Sequence, residues 1–99
     1  MNGNQVVISK RFRNNTLKTY QYLLQHFSVA TANKFLEKLE QRIEFIIANP
    51  TAGKPSQKRK DVRSILFIPH NRIFYRFTNN KIEILLLFDM RKDPRKRFY

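Results

Sequence analysis

The chain has 99 residues, enough for a single domain with one core, and the 41% hydrophobic residues predict a packed core rather than disorder. Its net charge of +13 predicts an anionic partner, and the absence of cysteine excludes disulfides and thiolate chemistry, so we expect a reducing, cytoplasmic location. The longest apolar run, Ile84–Phe88, is too short to cross a membrane, and the N-terminus lacks a signal-peptide pattern. Two histidines and scattered acids show no metal-ligand spacing, so we expect no metal site.

The first half of the chain predicts one strand and two helices. Gln5–Ser9 is apolar and β-branched, as in a short strand, and Ser9 can cap the helix that follows. Helical spacing of apolar residues predicts this helix over about Lys10–Phe27. Ser28 or Thr31 caps a second helix, which ends at Asn49-Pro50 because proline disfavours helical geometry at the preceding residue. The predicted core residues are Phe12, Thr16, Tyr20, Leu23 and Phe27 on the first helix, and Ala32, Phe35, Leu36, Leu39, Ile43, Ile46 and Ile47 on the second.

The second half predicts a loop and three strands. The polar stretch Thr51–Lys60 contains glycine and proline and is typical of a loop. Strands are predicted at about Val62–Ile68, Arg72–Phe77 and Ile82–Phe88, with a tight hairpin at Asn79-Asn80 because asparagine tolerates positive φ. We therefore predict one α+β domain over residues 1–99 with the order β-α-α-β-β-β, which includes a basic C-terminal tail at about 89–99.

Alternation along the strands predicts which residues face the helices. Two tightly joined helices should form a hairpin on one face of an antiparallel meander. Ile73, Tyr75 and Phe77 share one face of their strand, which we expect to pack against the helices. The matching residues of the last strand would be Ile82, Ile84, Leu86 and Phe88. Arg72 and Arg76 would then project from the open face of the sheet.

Positive charge is concentrated on both sides of that open face. Gly53–Phe77 holds seven basic residues and one acid, and Arg91–Tyr99 holds five basic residues and one acid. A solvated surface usually mixes the two signs. The concentration therefore indicates an anionic partner, either a nucleic acid or an acidic protein.

Several motifs occur together in this chain in a characteristic order. They are a first strand ending in Ser9, FLEKLEQRIEFIIANPTAG (Phe35–Gly53), the Val62-Arg63 pair, RIFYRF (Arg72–Phe77), and the Arg91-Lys92-Asp93-Pro94 run. Over nearly the whole chain they resemble the RelE/ParE superfamily of type II toxin–antitoxin toxins. The resemblance implies a bacterial toxin neutralised by a cognate antitoxin that wraps around it in a hetero-oligomer. RelE-like members cleave messenger RNA in the ribosomal decoding site, whereas ParE-like members poison DNA gyrase and are not known as nucleases.

The resemblance also implies candidate site residues. Arg72 stands where RelE-like ribonucleases carry an arginine that contacts the scissile phosphate, Arg91 matches the arginine just past the last strand, and Tyr99 is the candidate proton donor. Cleavage by the RNA 2′-hydroxyl needs positioning, charge stabilisation and proton transfer, and a guanidinium suits the phosphate. The candidate RNA- or phosphate-binding residues are Lys58, Arg59, Lys60, Arg63 and Arg76. Structural alternatives are an ion pair between Arg72 and Glu83, a solvated basic loop and tail, and loose packing of Tyr99.

The sequence leaves the toxin's target open. Met90 stands where many ribonuclease members carry a histidine or lysine, and methionine transfers no protons. The leading hypothesis is ribosome-dependent mRNA cleavage that needs neither a metal nor an organic cofactor, with the ribosome and its mRNA as partners and no membrane association. The alternatives are inhibition of DNA gyrase and an inactive toxin-fold binding module.

Overall fold

The computed structural model describes residues 4–91, in which two helices and five strands follow one another. They are β1 (Gln5–Ile8), α1 (Lys10–His26), α2 (Val29–Ala48), β2 (Lys54–Pro55), β3 (Val62–Phe67), β4 (Asn71–Thr78) and β5 (Lys81–Asp89). The predicted α+β order is confirmed, and β2 is an additional two-residue strand inside the predicted loop. Neither helix in this part of the chain is long and apolar enough to span a bilayer.

The strands form one sheet in the order β1-β5-β4-β3-β2. The predicted antiparallel meander of β3, β4 and β5 is confirmed, and β2 extends it at one edge. β1 lies parallel to β5 at the other edge, so the sheet is mixed. Asn79 and Asn80 form the predicted tight turn between β4 and β5, with φ values of 47° and 62°.

The helices pack on one face of the sheet, and the main core lies between them. Its buried residues are Phe12, Leu39, Ile46, Phe67, Ile73, Tyr75, Ile82, Ile84 and Leu87. The predicted core face of α1 is confirmed from Phe12, which is 3% exposed, to half-buried Leu23, but it does not include Phe27, just past the C-terminal end, which is 64% exposed. The face predicted for α2 is mostly buried or half-buried, with Leu36 as its exposed member.

A β-bulge at Leu85 changes the predicted pattern of β5. Phe74 pairs with Leu86 but Tyr75 pairs with Ile84, so Leu85 is an extra residue on the β5 side. The prediction that Leu86 and Phe88 face the helices is therefore wrong. Both lie on the opposite face of the sheet, and Leu87 takes the place facing the helices.

Two serines begin the helices. The Ser9 side chain accepts a hydrogen bond from the N–H of Phe12, and the Ser28 side chain accepts one from the N–H of Thr31. Ser9 also donates to the carbonyl of Leu85 at 2.8 Å, so the cap of α1 is joined to the bulge in β5. This contact fixes the start of α1 over the last strand.

Candidate functional site

The face of the sheet opposite the helices carries an apolar cluster with Arg72 beside it. Val62, Phe74, Leu86 and Phe88 are buried together on this face. Arg72 is half-buried; its Nε donates to the Ser64 Oγ at 2.9 Å and its Nη2 to the Ser64 carbonyl at 3.4 Å. The predicted orientation of Arg72, away from the helices, follows from its alternation with Ile73 and is observed. Its guanidinium is thereby oriented by β3.

Arg72 opens into a small basic pocket beneath the loop that contains β2. The pocket has a volume of about 250 Å³ and is lined by Lys54, Pro55, Ser56, Gln57, Lys58, Ser64, Arg72, Phe74 and Met90. The fold thus brings Arg72 together with Lys58, both predicted site residues, and adds Lys54 and Ser64, which the sequence analysis missed. The sequence pattern that could have indicated Ser64 is a hydroxyl residue within an otherwise apolar strand, on the same face as Val62. We name this site the Arg72 pocket.

Side-chain hydrogen bonds hold the loop over the Arg72 pocket. The Ser56 Oγ accepts from the N–H groups of Lys58 and Arg59, which gives the basic run a turn conformation. Arg59 and Lys60 are exposed in this loop. Arg63 is paired with Tyr75 on the helix-facing side, and its Nη1 donates to the carbonyls of Thr51 and Gly53. In the structure Arg63 therefore supports the loop from the side opposite the pocket.

Arg76 is held by two carboxylates. Its Nε lies 3.2 Å from the Asp61 Oδ2, and its Nη1 lies 3.4 Å from the Glu83 Oε1. Glu83 is the direct neighbour of Arg76 across the β4–β5 hairpin, so the ion pair considered between Arg72 and Glu83 is formed by Arg76 instead. Much of the positive charge of Arg76 is balanced locally.

Arg91 lies on the helix side of the sheet, away from the Arg72 pocket. Its backbone N–H and Nε both donate to the Asp89 Oδ1, and its Nη2 donates to the Asp89 Oδ2 at 2.8 Å. The hydrogen bonds and negative charge of Asp89 raise the pKa of Arg91 further above its ordinary value. Arg91 lines a groove of about 730 Å³, which we name the basic groove, together with Lys18, Tyr22, Lys34, Lys38, Ile68 and neighbouring side chains. Arg72 and Arg91 therefore do not share a site.

The Arg72 pocket has the chemistry of an anion-binding site. Lysine and arginine side chains with two hydroxyls suit a phosphate or a carboxylate. Among the described residues that line it, none has an ordinary pKa near neutrality, and Met90 brings no proton-transfer group. His70 is exposed in the β3–β4 turn, and Tyr99 lies outside the described residues. Nor do any three histidine, aspartate or glutamate side chains within residues 4–91 form a group that could hold a metal.

Solved structures from toxin–antitoxin systems share this fold. The chain is similar to a chromosomal ParDE system from P. aeruginosa, with 18% identity and a TM-score of 0.75 over 88% of this chain and 96% of that one. It is also similar to a YoeB/ParE toxin from Agrobacterium tumefaciens, with 16% identity and a TM-score of 0.60 over 86% and 96% of the two chains. For the E. coli RelBE complex the identity is 11% and the TM-score 0.58, over 87% and 95%. No curated protein matches the sequence.

A family model matches residues 6–94, which is most of the chain. That model describes the ParE toxin of the type II toxin–antitoxin system parDE. The match takes in all of β1 except Gln5, both helices and the whole meander. The chain therefore belongs to the ParE toxin family of type II toxin–antitoxin systems.

Proposed function

We propose that the chain is a toxin that inhibits DNA gyrase by binding it, rather than a ribosome-dependent nuclease. The observation that carries this proposal is the separation of Arg72 from Arg91. A nuclease of the kind suggested by the sequence would place both arginines at one scissile phosphate, yet one guanidinium is bound to Ser64 and the other to Asp89 on opposite sides of the sheet.

Two further features support a binding function. The Arg72 pocket lacks, among its described lining residues, a group that would accept or donate a proton near neutral pH. The family model that matches is that of the ParE toxins, and ParE-like members, to which the sequence has a resemblance, act on gyrase. Inhibition by binding needs surface complementarity and no acid or base.

The proposal is tested by expressing the chain in bacteria without an antitoxin and measuring two outcomes in the same cells. We expect relaxed plasmid DNA and a DNA-damage response, with transcript 5′ ends unchanged. The purified chain should also block supercoiling by purified gyrase in vitro. New transcript ends at ribosome-protected positions, with supercoiling intact, would contradict the proposal.

An antitoxin is the second partner that we propose. The similar folds include toxins in complex with antitoxins. An apolar groove of about 590 Å³ runs along α1 and α2 and is lined mainly by Ile8, Phe12, Leu17, Leu36, Leu39, Ile43 and Ile47. Thr16 also lines this groove, and its Oγ1 is buried without a hydrogen-bond partner among the described residues. This groove, the antitoxin groove, suits the apolar face of an amphipathic helix.

RNA cleavage is the second candidate function, and the Arg72 pocket favours it. Arg72 lies there with Lys54 and Lys58, so a phosphate in the pocket would meet three cations. In this candidate function Arg72 stabilises the charge at phosphorus and Lys58 holds the RNA. The Arg72→Ala variant would then lose transcript cleavage, while Lys10→Ala, at an exposed position of α1 outside both the Arg72 pocket and the antitoxin groove, would keep it. Cleavage that persists in Arg72→Ala would eliminate this candidate function.

A further inference from the structure

We infer that the turn between the two helices, together with the basic groove beside it, forms a docking surface for an acidic segment of the toxin's protein target. The inference rests on the proposed function, since it assigns the surface through which a binding toxin reaches that target. It concerns a region separate from both the Arg72 pocket and the antitoxin groove.

The first observation is a cluster of exposed aromatic side chains at the end of α1, which we name the aromatic tip. Tyr22 is 54% exposed and Phe27 is 64% exposed. The Tyr22 ring lies 4.4 Å from the His26 ring and 6.3 Å from the Phe27 ring, measured between centroids, and exposed Val29 follows in the chain. The contacts of the Tyr22 ring with the other two rings gather exposed apolar surface at this end of α1, and exposed apolar patches mark interaction sites on protein surfaces. Aromatic residues are also the usual anchors of protein interfaces.

The second observation is the charge of the adjoining basic groove. Tyr22 belongs to both features, so the aromatic tip and the basic groove are continuous. Lys18, Lys34 and Lys38 line the groove, and none of these three lysines has an ion pair with another residue in the range 4–91. The acidic residue of the groove, Asp89, is already paired with Arg91. The groove therefore keeps an excess of positive charge.

The walls of the basic groove favour a protein partner over a nucleic acid. Between the lysines lie the apolar side chains of Leu23, Phe35, Ile68 and Pro69. A phosphate backbone would pair with the lysines and leave these apolar walls uncovered. A peptide segment with carboxylates and one or two apolar side chains would cover both, since interfaces combine an apolar centre with a charged periphery.

The basic groove and the antitoxin groove use different sides of the helical hairpin. α1 contributes Lys18 and Tyr22 to the former but Arg13 and Leu17 to the latter. α2 contributes Lys34 and Lys38 to the basic groove, whereas Leu36 and Leu39 line the antitoxin groove. Substitutions in the basic groove can therefore be made without touching the antitoxin groove.

The test uses purified chain variants, purified gyrase holoenzyme and a labelled DNA duplex. The groove variant carries Lys18→Glu and Lys34→Glu, and the tip variant carries Phe27→Ser; all three positions are exposed, so the fold should be retained, which thermal melting checks. The control variant carries Lys10→Glu and Arg11→Glu, which are also exposed, line neither groove nor the Arg72 pocket, and change the net charge equally. Affinity for gyrase is measured at low and moderate ionic strength, and supercoiling is assayed alongside.

We expect affinity for gyrase to fall at least about tenfold in the groove and tip variants and less than about twofold in the control, with wild-type affinity decreasing as salt rises. Equal binding by wild type, groove and tip variants would overturn this inference and leave the proposed function standing. Loss of gyrase binding in the control as large as in the groove variant, or wild-type binding that occurs only through the DNA duplex, would also overturn it. If the wild type neither binds gyrase nor blocks supercoiling, the proposed function and this inference both fail.

Discussion

The hydroxyl of Tyr75 accepts a hydrogen bond of 2.9 Å from the backbone N–H of Gly53 and donates one of 2.8 Å to the carbonyl of Pro50. Tyr75 is fully buried in the core beneath the helices. Its hydroxyl therefore joins the middle of β4 to the chain that leads into β2. Because Arg63 donates to the carbonyl of the same Gly53, two side chains hold the start of the loop that covers the Arg72 pocket.

Replacing Tyr75 by phenylalanine should destabilise the fold. The Gly53 N–H is buried and would lose its partner, so we expect the free energy of unfolding to fall by about 2 kcal/mol. Chemical denaturation monitored by circular dichroism measures the change. Tyr22→Phe is the control, since Tyr22 is exposed and should change stability by less than about 0.5 kcal/mol. Equal stabilities of the two variants would show that the buried hydroxyl contributes nothing.

The same hydroxyl should make stability depend on alkaline pH. Burial is the main cause that raises the pKa of Tyr75, opposed by the Gly53 hydrogen bond and the charge of Arg63. Above pH of about 10 the unfolded chain releases this proton while the folded chain retains it, so the contribution to stability is present below that pH and is lost as the pH rises towards the folded pKa. Unfolding free energies at pH 8 to 11 should decline more steeply for wild type than for Tyr75→Phe. If the unfolding free energies of the two proteins decline in parallel with pH, the Tyr75 hydroxyl is not kept neutral by burial.

Gly53 should tolerate no side chain. Its φ is not in the left-handed region, so the requirement is one of space. A Cβ at this position would lie 2.6 Å from the Tyr75 Oη, 2.9 Å from its Cε1 and 3.0 Å from the Arg63 Cβ. We expect Gly53→Ala to cost about 1–3 kcal/mol. In the double variant with Tyr75→Phe, the loss of unfolding free energy should be smaller than the sum of the losses in the two single variants, because both substitutions act on one contact. If denaturation experiments show that the two losses of unfolding free energy are additive, the contact between Gly53 and Tyr75 is not the cause of the Gly53→Ala effect.

Local patterns predicted the elements of this fold, and contacts distant in sequence decided what the patterns could not. Asn79-Asn80 forms a turn because of its own backbone preferences. The apolar spacing of α2 predicts a helix wherever one face of the segment is buried. The bulge at Leu85 depends instead on Ser9, which lies 76 residues earlier and hydrogen-bonds the extra residue's carbonyl. The alternation of residues along β5 therefore could not predict the bulge, because it contains no information about this contact.

The candidate site likewise combines a feature that the sequence predicts with features that depend on contacts in the folded chain. The orientation of Arg72 follows from strand alternation and was predictable. The direction of Arg91 depends on the carboxylate of Asp89, two residues earlier, which draws it to the helix side. The pocket around Arg72 depends on how Arg63 and Tyr75 hold the loop, and these interactions join residues that are 10 and 25 positions apart in sequence.

The two helix caps should differ in their contribution to stability. Ser9 caps α1 and also donates to Leu85 in a half-buried position, whereas Ser28 caps α2 at an exposed turn. We expect Ser9→Ala to cost about 2 kcal/mol and Ser28→Ala about 0.5–1 kcal/mol. Urea denaturation of the two variants provides the comparison. A larger loss in Ser28→Ala would contradict the role of the Ser9–Leu85 contact.

One substitution in the antitoxin groove should weaken neutralisation by the antitoxin while leaving toxicity in place. Leu36 lines this groove and is 38% exposed, so Leu36→Lys places a charge among apolar residues without opening the core. A lysine there must be desolvated when an apolar helix docks, and we expect affinity for the antitoxin to fall at least tenfold, or about 1.4 kcal/mol. Leu24→Lys is the control, because Leu24 is 39% exposed and lies outside the groove. Co-expression with the antitoxin should rescue growth of cells producing Leu24→Lys but not of cells producing Leu36→Lys. Rescue of both would exclude this groove as the site of neutralisation.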